Sequence, residues 1–577
     1  MKSNVYKLTV IAKLTDSIDA TFRAMALQSK NVAHPGLAVI LDDVGRLLGI
    51  LTDGDMRRAY ARDVSFTRPV SEIMVRKPIT LPASTSRDSI VSEVYRRVRL
   101  AGRHSADWVQ HILLVDEQQR LIDVLDFFDL LRSQGSGQQK IAVVGMGYVG
   151  LTLAVSLANR GHEIIGIDVQ TNLVEQLRVG NPHLHELGLR EMLKVNLDRG
   201  QISFDTCLRN DSQNIYIISV GTPINELLRP ELAALDNAIN QIGAFLKCGD
   251  QVMLRSTVPM GTTRQFVVPK LESLSGIRAG EDFHIAFAPE RTIEGNALHE
   301  LRTLPQVIGG LTPVCAEKAA QFWSTLTQSV VRVSSLEGSE LVKLANNTFR
   351  DLSFAFANEM ALLADSVNID AFDLIRAAND GYPRNPIPLP SPGVGGYCLT
   401  KDPILFGADP DGQCSETTLG RAGRTVNKRA GLYAVEVLRR FANRIGKPLM
   451  SLSVLIVGAA FKGIPETSDM RGSVSLDVAA ELNGRVARLR VWDAVVIVEN
   501  IQALGLDSVN NLNEGINDAD AVLILNNHPL NIIAEAYQKA AKEKLIFDGW
   551  HQLDSREIEK ISGLTYATLG YMTPTSS

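Results

Sequence analysis

The chain has 577 residues, which at roughly 150 residues per domain is three to four domains and enough to build cores without disulfides or structural metals. Fifty-nine Lys and Arg stand against 64 Asp and Glu, and the net charge of −5 gives no global basic field for nucleic acid or an anionic membrane. Forty-four glycines and 23 prolines are ordinary globular usage, which excludes collagen-like and wholly disordered chains.

The first 20 residues, MKSNVYKLTVIAKLTDSIDA, hold no continuous apolar run, and no stretch of the chain approaches 18 consecutive apolar residues. A cytoplasmic protein without a membrane span is expected. Through residue 132 one pattern occurs twice. Leu37–Leu41, the turn Asp42-Asp43-Val44-Gly45 and Leu47–Leu51 are matched by Ile112–Val115, the turn Asp116-Glu117-Gln118-Gln119 and Leu121–Leu125. Each reads as strand, acidic turn, strand, leading into a helix. Ser133-Gln134-Gly135-Ser136-Gly137-Gln138-Gln139 reads as a linker.

At Lys140 a strand–helix alternation begins, the pattern of a parallel α/β sheet. Its first strand runs into Gly145-Met146-Gly147-Tyr148-Val149-Gly150, a G-x-G-x-x-G turn that opens a helix. Gly145 permits the turn, Gly147 lets a pyrophosphate approach the backbone and Gly150 lets helix and strand pack closely. Tyr148 and Val149 complete the turn at a helix N-terminus, whose free N–H groups suit phosphate. The next strand ends at Asp168, 18 residues past Gly150, where a carboxylate binds ribose hydroxyls and repels a 2′-phosphate. NAD is therefore the expected cofactor. From about 335 to 445 the pattern is mostly helical, broken by a Pro/Gly-rich stretch from 381 to 396; a second α/β block starts near 452. The expected division is 1–132, linker 133–139, 140–334, 335–445 and 446–572. The expected fold class is α/β: two Rossmann-like parallel-sheet domains joined by a central helical region, preceded by an α+β module. The five cysteines, Cys207, Cys248, Cys315, Cys398 and Cys414, are odd in number and form no CxxC pair, so neither a disulfide framework nor a metal site is expected.

Several spaced motifs follow in order: Val220-Gly221-Thr222-Pro223, Ser256-Thr257-Val258-Pro259, Pro289-Glu290-Arg291-Thr292-Ile293-Glu294-Gly295, Glu340-Leu341-Val342-Lys343-Leu344-Ala345-Asn346-Asn347, Gly393-Val394-Gly395-Gly396-Tyr397-Cys398-Leu399-Thr400-Lys401-Asp402, Phe461-Lys462 and Asp469-Met470-Arg471. With them, residues 137–560 resemble the UDP-glucose/GDP-mannose (nucleotide-sugar 6-) dehydrogenase family. The resemblance implies oxidation of a sugar CH2OH to a carboxylate in two hydride transfers to NAD, as a step of polysaccharide biosynthesis. A cysteine thiolate carries the carbonyl as thiohemiacetal and then thioester, a role suited to a strong nucleophile that also leaves readily. It assigns Cys398 as that nucleophile and Asp402 to proton transfer and water. Lys343 and Asn347, four apart on one helix face, are assigned to the oxyanion, with Lys343 also touching substrate.

Glu294 and Thr257 fall in the catalytic set. Thr222, Thr257 and Glu290 fall at the cofactor. Gly395, Lys462, Arg471 and Arg384 fall at the substrate, Lys462 and Arg471 through its diphosphate. Arg384 is implied to reach the partner subunit's substrate, in a homodimer or higher homo-oligomer built on the central helices. Two departures are visible: Ala494 follows Trp492-Asp493 where the family has proline, and Ser339 stands where alanine is common. The Pro-Glu-Arg and Tyr382-Pro383-Arg384 forms resemble UDP-N-acetylhexosamine dehydrogenases, so UDP-N-acetyl-mannosamine or UDP-N-acetyl-glucosamine is the expected substrate, with UDP-glucose the alternative.

The segment Gly49-Ile50-Leu51-Thr52-Asp53-Gly54-Asp55, within 1–132, resembles a pair of cystathionine-β-synthase (CBS) domains. That resemblance implies Thr52 and Asp55 as contacts for a regulatory adenine nucleotide or nucleotide-sugar. In the second repeat Asp126 takes the threonine position and Asp129 keeps the carboxylate, so phosphate is expected to be repelled there. A non-catalytic nucleotide sensor is the rival class; the presence of Cys398, Lys343 and Asp402 argues against it.

Overall fold

The computed structural model describes residues 9–27, 36–60, 64–85, 90, 93–94, 97, 111–126, 138–209, 213–384, 386–409, 418–539 and 542–574, with residues 53, 57, 58, 60 and 126 described by backbone alone. Most of the 133–139 linker, Asp129 and Cys414 lie outside these residues, as does the side chain of Asp126. The chain divides into two compact units, one of residues 1–138 with 302–306 and 320–331, the other of the remainder.

The N-terminal unit contains the expected repeat. β1 (Val10–Ala12), β2 (Leu37–Leu41) and β3 (Leu47–Thr52) form one three-stranded sheet; β4 (Thr80–Pro82), β5 (His111–Val115) and β6 (Leu121–Asp126) form the other. In each the first pair is parallel, the second antiparallel, and the register shifts just before the turn. The acidic turns close alike: Asp42 Oδ1 accepts the Val44 and Arg46 N–H groups, and Asp116 Oδ1 those of Gln118 and Arg120. A side chain that mimics a backbone turn explains why Asp opens both.

In the larger unit β7 (Lys140–Val144), β8 (Glu163–Ile167), β9 (Ile202–Asp205), β10 (Ile215–Ile218), β11 (Gln251–Leu254) and β12 (His284–Phe287) lie in the order β9-β8-β7-β10-β11-β12, all parallel. Strand order reverses at β7, which puts the crevice for a dinucleotide at its C-terminal end. The apolar runs Ile141–Val144 and Ile215–Ile218 are buried on both faces, as strands covered by helices must be. The central region is a 30-residue helix, Leu336–Asp365, packed against the 26-residue helix Leu419–Arg444, with Tyr397–Leu405 contacting both.

The second parallel sheet is centred on Ser453–Val457, flanked by Arg488–Trp492 and Ala521–Ile524. It repeats the first sheet's turn in detail. Gly145 and Gly458 both have positive φ, and their N–H groups donate to Ile167 and Trp492 carbonyls at 2.7 Å each. Met146 N–H donates to Asp168, and Ala459 N–H to Asp493. Asp493 further accepts the Ala460, Val495 and Val496 N–H groups and Asn526 Nδ2, so the turn needs no proline at 494. Its lone pairs are taken, whereas among the described residues Asp168 accepts the Met146 and Gln170 N–H groups and no others, keeping capacity for a ribose. Among the described residues no helix is long and apolar enough to cross a membrane.

Candidate active site

The dinucleotide turn is fixed by sterics at two of its glycines and left open at the third. A Cβ on Gly145 would lie 2.7 Å from the Ser219 carbonyl oxygen, and one on Gly150 would lie 1.8 Å from that of Gly145. A Cβ on Gly147 would meet nothing within 4 Å, so its bareness serves space in front of the turn, where a phosphate fits. Tyr148 and Val149 begin the helix Tyr148–Ala158 that this turn opens. NAD therefore fits the residues present: bare turn, helix N-terminus and a ribose carboxylate at Asp168. Thr222 is buried and donates its hydroxyl to the Thr257 carbonyl, tying two sheet-end loops together beside this crevice.

Cys398 is the second residue of the helix Tyr397–Leu405, which begins after Gly396 at φ +91°. Asp402 lies one turn further on the same face. Lys343 and Asn347 are one turn apart on the long helix, and Asn347 Nδ2 donates to Asp402 Oδ2 at 2.6 Å, so the two faces meet. Lys401 Nζ donates to the other oxygen, Asp402 Oδ1, at 3.0 Å, and both groups are buried. Lys343 is buried with its ammonium on the Glu290 carbonyl oxygen at 2.7 Å. Cys398 is exposed at its surface, yet the protein packed around its sulfur pushes the thiol pKa up. Lys343 and Lys401 pull it down; Asp402 and Glu294 oppose them. The site thus brings a thiol of raised pKa together with the Lys343 amine and the Asp402 carboxylate, groups whose chemistry suits stabilising negative charge and accepting a proton.

The two loop glutamates differ sharply. Glu290 is buried and its carboxylate is consumed by Arg255 Nε at 3.0 Å and by the Arg291 and Thr292 N–H groups. Burial works against its charge, but Arg255, Thr292 and Lys343 outweigh it and hold the pKa below the usual range. Glu290 therefore shapes the loop on which Lys343 rests. Among the described residues the buried Glu294 Oε2 has no hydrogen-bond partner. Burial, then Asp469, raises its pKa to about 7, against Arg471 at 3.7 Å and Lys462. Lys462 donates to the Glu294 carbonyl at 2.7 Å, and burial brings its own pKa down to about 8. If ionised Glu294 takes a proton in turnover, kcat/KM rises with pH through about 7, because the acid form predominates below that value. Glu294→Gln is expected to flatten that limb in a profile from about pH 6 to about pH 9, and an unchanged limb would assign it elsewhere.

Arg471 forks onto Asp469, stacks 4.9 Å over the Tyr397 ring and lines a cavity of about 520 Å³ with Gly147, Tyr148, His183 and Glu294. It thus shares a cavity with the Gly147–Tyr148 turn. Gly395 and Gly396 owe their bareness to packing: a Cβ on Gly395 would lie 2.5 Å from the Gly472 carbonyl oxygen and one on Gly396 2.8 Å from the Phe461 ring. Arg384 is exposed, 5.7 Å over the Tyr382 ring, and is not gathered with Cys398 and Lys343. In the N-terminal unit, Thr52 and Asp55 cap the helix Asp53–Tyr60 reciprocally: the Thr52 hydroxyl and N–H donate to Asp55 Oδ2 at 2.7 and 2.9 Å, and Asp55 N–H donates back.

Residues absent from the expected set also take part. Arg255 anchors Glu290, and Lys401 anchors Asp402. Glu340, on the Lys343 helix, accepts the Gly261 and Thr263 N–H groups at 2.5 and 2.8 Å and holds the turn that carries Thr257. Its pKa is raised to about 7 by burial. Glu340 and Lys401 stand inside motifs quoted above and were legible there; Arg255 carried no signal beyond its place before Ser256.

Family models match three successive stretches: the UDP-glucose/GDP-mannose dehydrogenase NAD binding domain over 139–327, its central domain over 337–429 and its UDP binding domain over 455–555. A CBS domain model matches 1–62. The UDP-N-acetyl-D-mannosamine dehydrogenase of Pyrococcus horikoshii is 32% identical over 413 residues, 71% of this chain and 95% of that protein. An NDP-N-acetyl-D-galactosaminuronic acid dehydrogenase of Ralstonia solanacearum is 31% identical over 67% of this chain and 90% of its own length. The solved structure of the P. horikoshii enzyme superposes with a TM-score of 0.66 at 29% identity, covering 75% of this chain and 99% of that one. The chain belongs to the UDP-glucose/GDP-mannose dehydrogenase family, as an NAD-dependent nucleotide-sugar dehydrogenase with an N-terminal CBS module.

Proposed function

We propose that the chain oxidises C6 of a UDP-N-acetylhexosamine, UDP-N-acetyl-mannosamine foremost, to the uronate. The cluster of Cys398, Lys343, Asn347 and Asp402 carries the reaction type, and the N-acetylated substrates named for its relatives, with the Pro-Glu-Arg form at 289–291, support the sugar. The balance is one alcohol, two NAD and one water giving one carboxylate, two NADH and three protons.

NAD, when bound at the Gly145–Gly150 turn, accepts a hydride in each oxidation. The chain's own residues do the rest. Lys343 and Asn347 hold the C6 oxygen as it becomes an alkoxide and later a tetrahedral oxyanion. Cys398 adds to the aldehyde carbon, its thiol proton passing toward Asp402. Loss of the second hydride leaves a thioester. Water positioned by Asp402, with Glu294 as a further proton acceptor, then displaces the Cys398 thiolate and frees the carboxylate.

We assign 1–132 to the paired CBS module, 140–334 to NAD, 335–445 to the central region and 446–572 to the UDP-sugar, in a cytoplasmic enzyme. The long helix supports a homodimer: Phe349, Phe356 and Leu363, seven residues apart, are 75%, 56% and 68% exposed and form one apolar stripe. Phe356→Glu is expected to convert the dimer to monomers in light scattering, and an unchanged mass would overturn that interface. Reduced activity of the monomer is expected as well, because exposed Arg384 would then have no neighbouring site to reach.

The test is NADH formation with UDP-N-acetyl-mannosamine, UDP-N-acetyl-glucosamine and UDP-glucose in turn, each with and without adenine nucleotides. Two NADH per sugar with an N-acetylated substrate is expected. Turnover of UDP-glucose alone would overturn the sugar assignment, and rates indifferent to every nucleotide would remove the regulatory role of the CBS module.

A further inference from the structure

Glu186 belongs to no motif that the reaction uses, yet it is buried and joins two parts of the active site. Its Oε2 accepts the Tyr148 hydroxyl and, at 3.0 Å, the Gly295 N–H. Its Oε1 accepts the Leu298 N–H at 3.1 Å. The Gly295 N–H is shared with the Tyr148 oxygen at 2.7 Å. Tyr148 is the first residue of the helix that the cofactor's phosphates approach; Gly295 follows Glu294 directly. Burial and Glu186 keep the Tyr148 hydroxyl protonated, as a donor must be.

The same short stretch is gripped from the C-terminal domain. Lys462 Nζ donates to the Glu294 carbonyl at 2.7 Å, and a Cβ on Gly295, at φ +88°, would lie 2.5 Å from the Glu466 carbonyl oxygen. Residues 294 and 295 are thus held between the cofactor turn on one side and the domain matched by the UDP binding model on the other. Neither the i, i+4 pairs nor the thiol cluster needs this arrangement: Glu186 Oε1 serves the start of the helix Ala297–Thr303 at Leu298, while its Oε2 is committed to Tyr148 and Gly295 together.

We infer that Glu186, with Tyr148, is a positioning residue that couples cofactor occupancy of the Gly145–Gly150 turn to the Glu294–Gly295 loop, so that the NAD and UDP sites strengthen one another. A ligand that fixes the start of the Tyr148 helix fixes the hydroxyl, which fixes the Gly295 N–H. UDP drawing Lys462 and the 465–466 turn into place fixes the same two residues from the other side. Each ligand then meets a loop already ordered by the first, which is a coupling free energy and must be reciprocal. The requirement has a chemical reason: the sugar stays on Cys398 while one NADH leaves and a second NAD enters. The inference rests on the family's NAD chemistry and is independent of which sugar is oxidised.

The experiment is a titration of NADH fluorescence on the full chain, with and without saturating UDP, a pair that cannot react. In the wild type UDP is expected to tighten NADH binding about fivefold or more, the lower end of ordinary coupling. In Glu186→Gln an amide NH2 replaces an acceptor and opposes a backbone N–H; in Tyr148→Phe the relay hydroxyl is gone while the ring remains. Both variants are expected to bring the ratio of the two NADH dissociation constants to within about twofold of one. A merely structural role would weaken NADH binding by the same factor with and without UDP, leaving the ratio at the wild-type value. That outcome, or a wild-type ratio of one, overturns the inference. Sugar turnover is read in a separate assay, so a wrong substrate assignment does not resemble a failed coupling.

Discussion

Replacing Cys398 with alanine is expected to abolish uronate formation, lowering the steady rate by roughly 10³-fold or more while leaving NAD binding intact. The reason is specific to the second oxidation. Hydride loss from the alcohol needs a base and an oxyanion site, which Asp402, Lys343 and Asn347 still provide. Hydride loss from an aldehyde needs a tetrahedral carbon, which the thiol supplies by adding to it. The variant should therefore release at most one NADH per sugar, with aldehyde detectable by hydroxylamine trapping. Cys398→Ser is the sharper control: it keeps the position two residues into the Tyr397–Leu405 helix, but its oxygen is a poorer nucleophile and leaving group. Two NADH per sugar at a near-normal rate in the alanine variant would remove the thiol from the mechanism.

The dinucleotide turn was legible because backbone geometry dictates it. Gly145 and Gly150 are excluded from being anything else by carbonyl oxygens 2.7 and 1.8 Å from their missing side chains, and a sequence records such clashes as glycine. Of the pairs proposed for catalysis, Lys343 and Asn347 share a helix face by their spacing alone, whereas Cys398 and Asp402 were reached through the family resemblance. What joins the two pairs was not legible. Asn347 meets Asp402 across 55 residues, Arg255 meets Glu290 across 35, and Gly295 meets Glu186 across 109. Periodicity describes one element's faces and carries no register between elements. The same limit hid why residue 395 is glycine, since the Gly472 carbonyl that occupies its side-chain space comes from 77 residues away in sequence. It also hid how the second α/β block dispenses with a proline at 494, since Asp493 gathers N–H groups from two separate loops.

Lys343→Ala is expected to lower kcat by about 10²- to 10³-fold, the usual cost of losing one preorganised oxyanion donor, with little change in the KM for the sugar. The ammonium is buried, held by the Glu290 carbonyl at 2.7 Å, and it acts on the Cys398 sulfur. In the proposed mechanism it meets the charge that develops during each oxidation without reorganising at that moment. Both half-reactions pass through such charge, so the loss should appear in each when they are measured separately by single turnover. A second readout follows from the thiol. Enclosure raises the Cys398 pKa and Lys343 opposes it, so removing the lysine leaves less thiolate at neutral pH. Alkylation of Cys398 by iodoacetamide, followed on its own peptide, should slow several-fold in the variant. Lys343→Arg should not restore activity: a planar fork on a longer side chain cannot reproduce a compact ammonium seated on one carbonyl. A lysine that served packing alone would give an alanine variant with lowered thermal stability but a wild-type alkylation rate, and a kcat within about tenfold of normal would withdraw Lys343 from the oxyanion role.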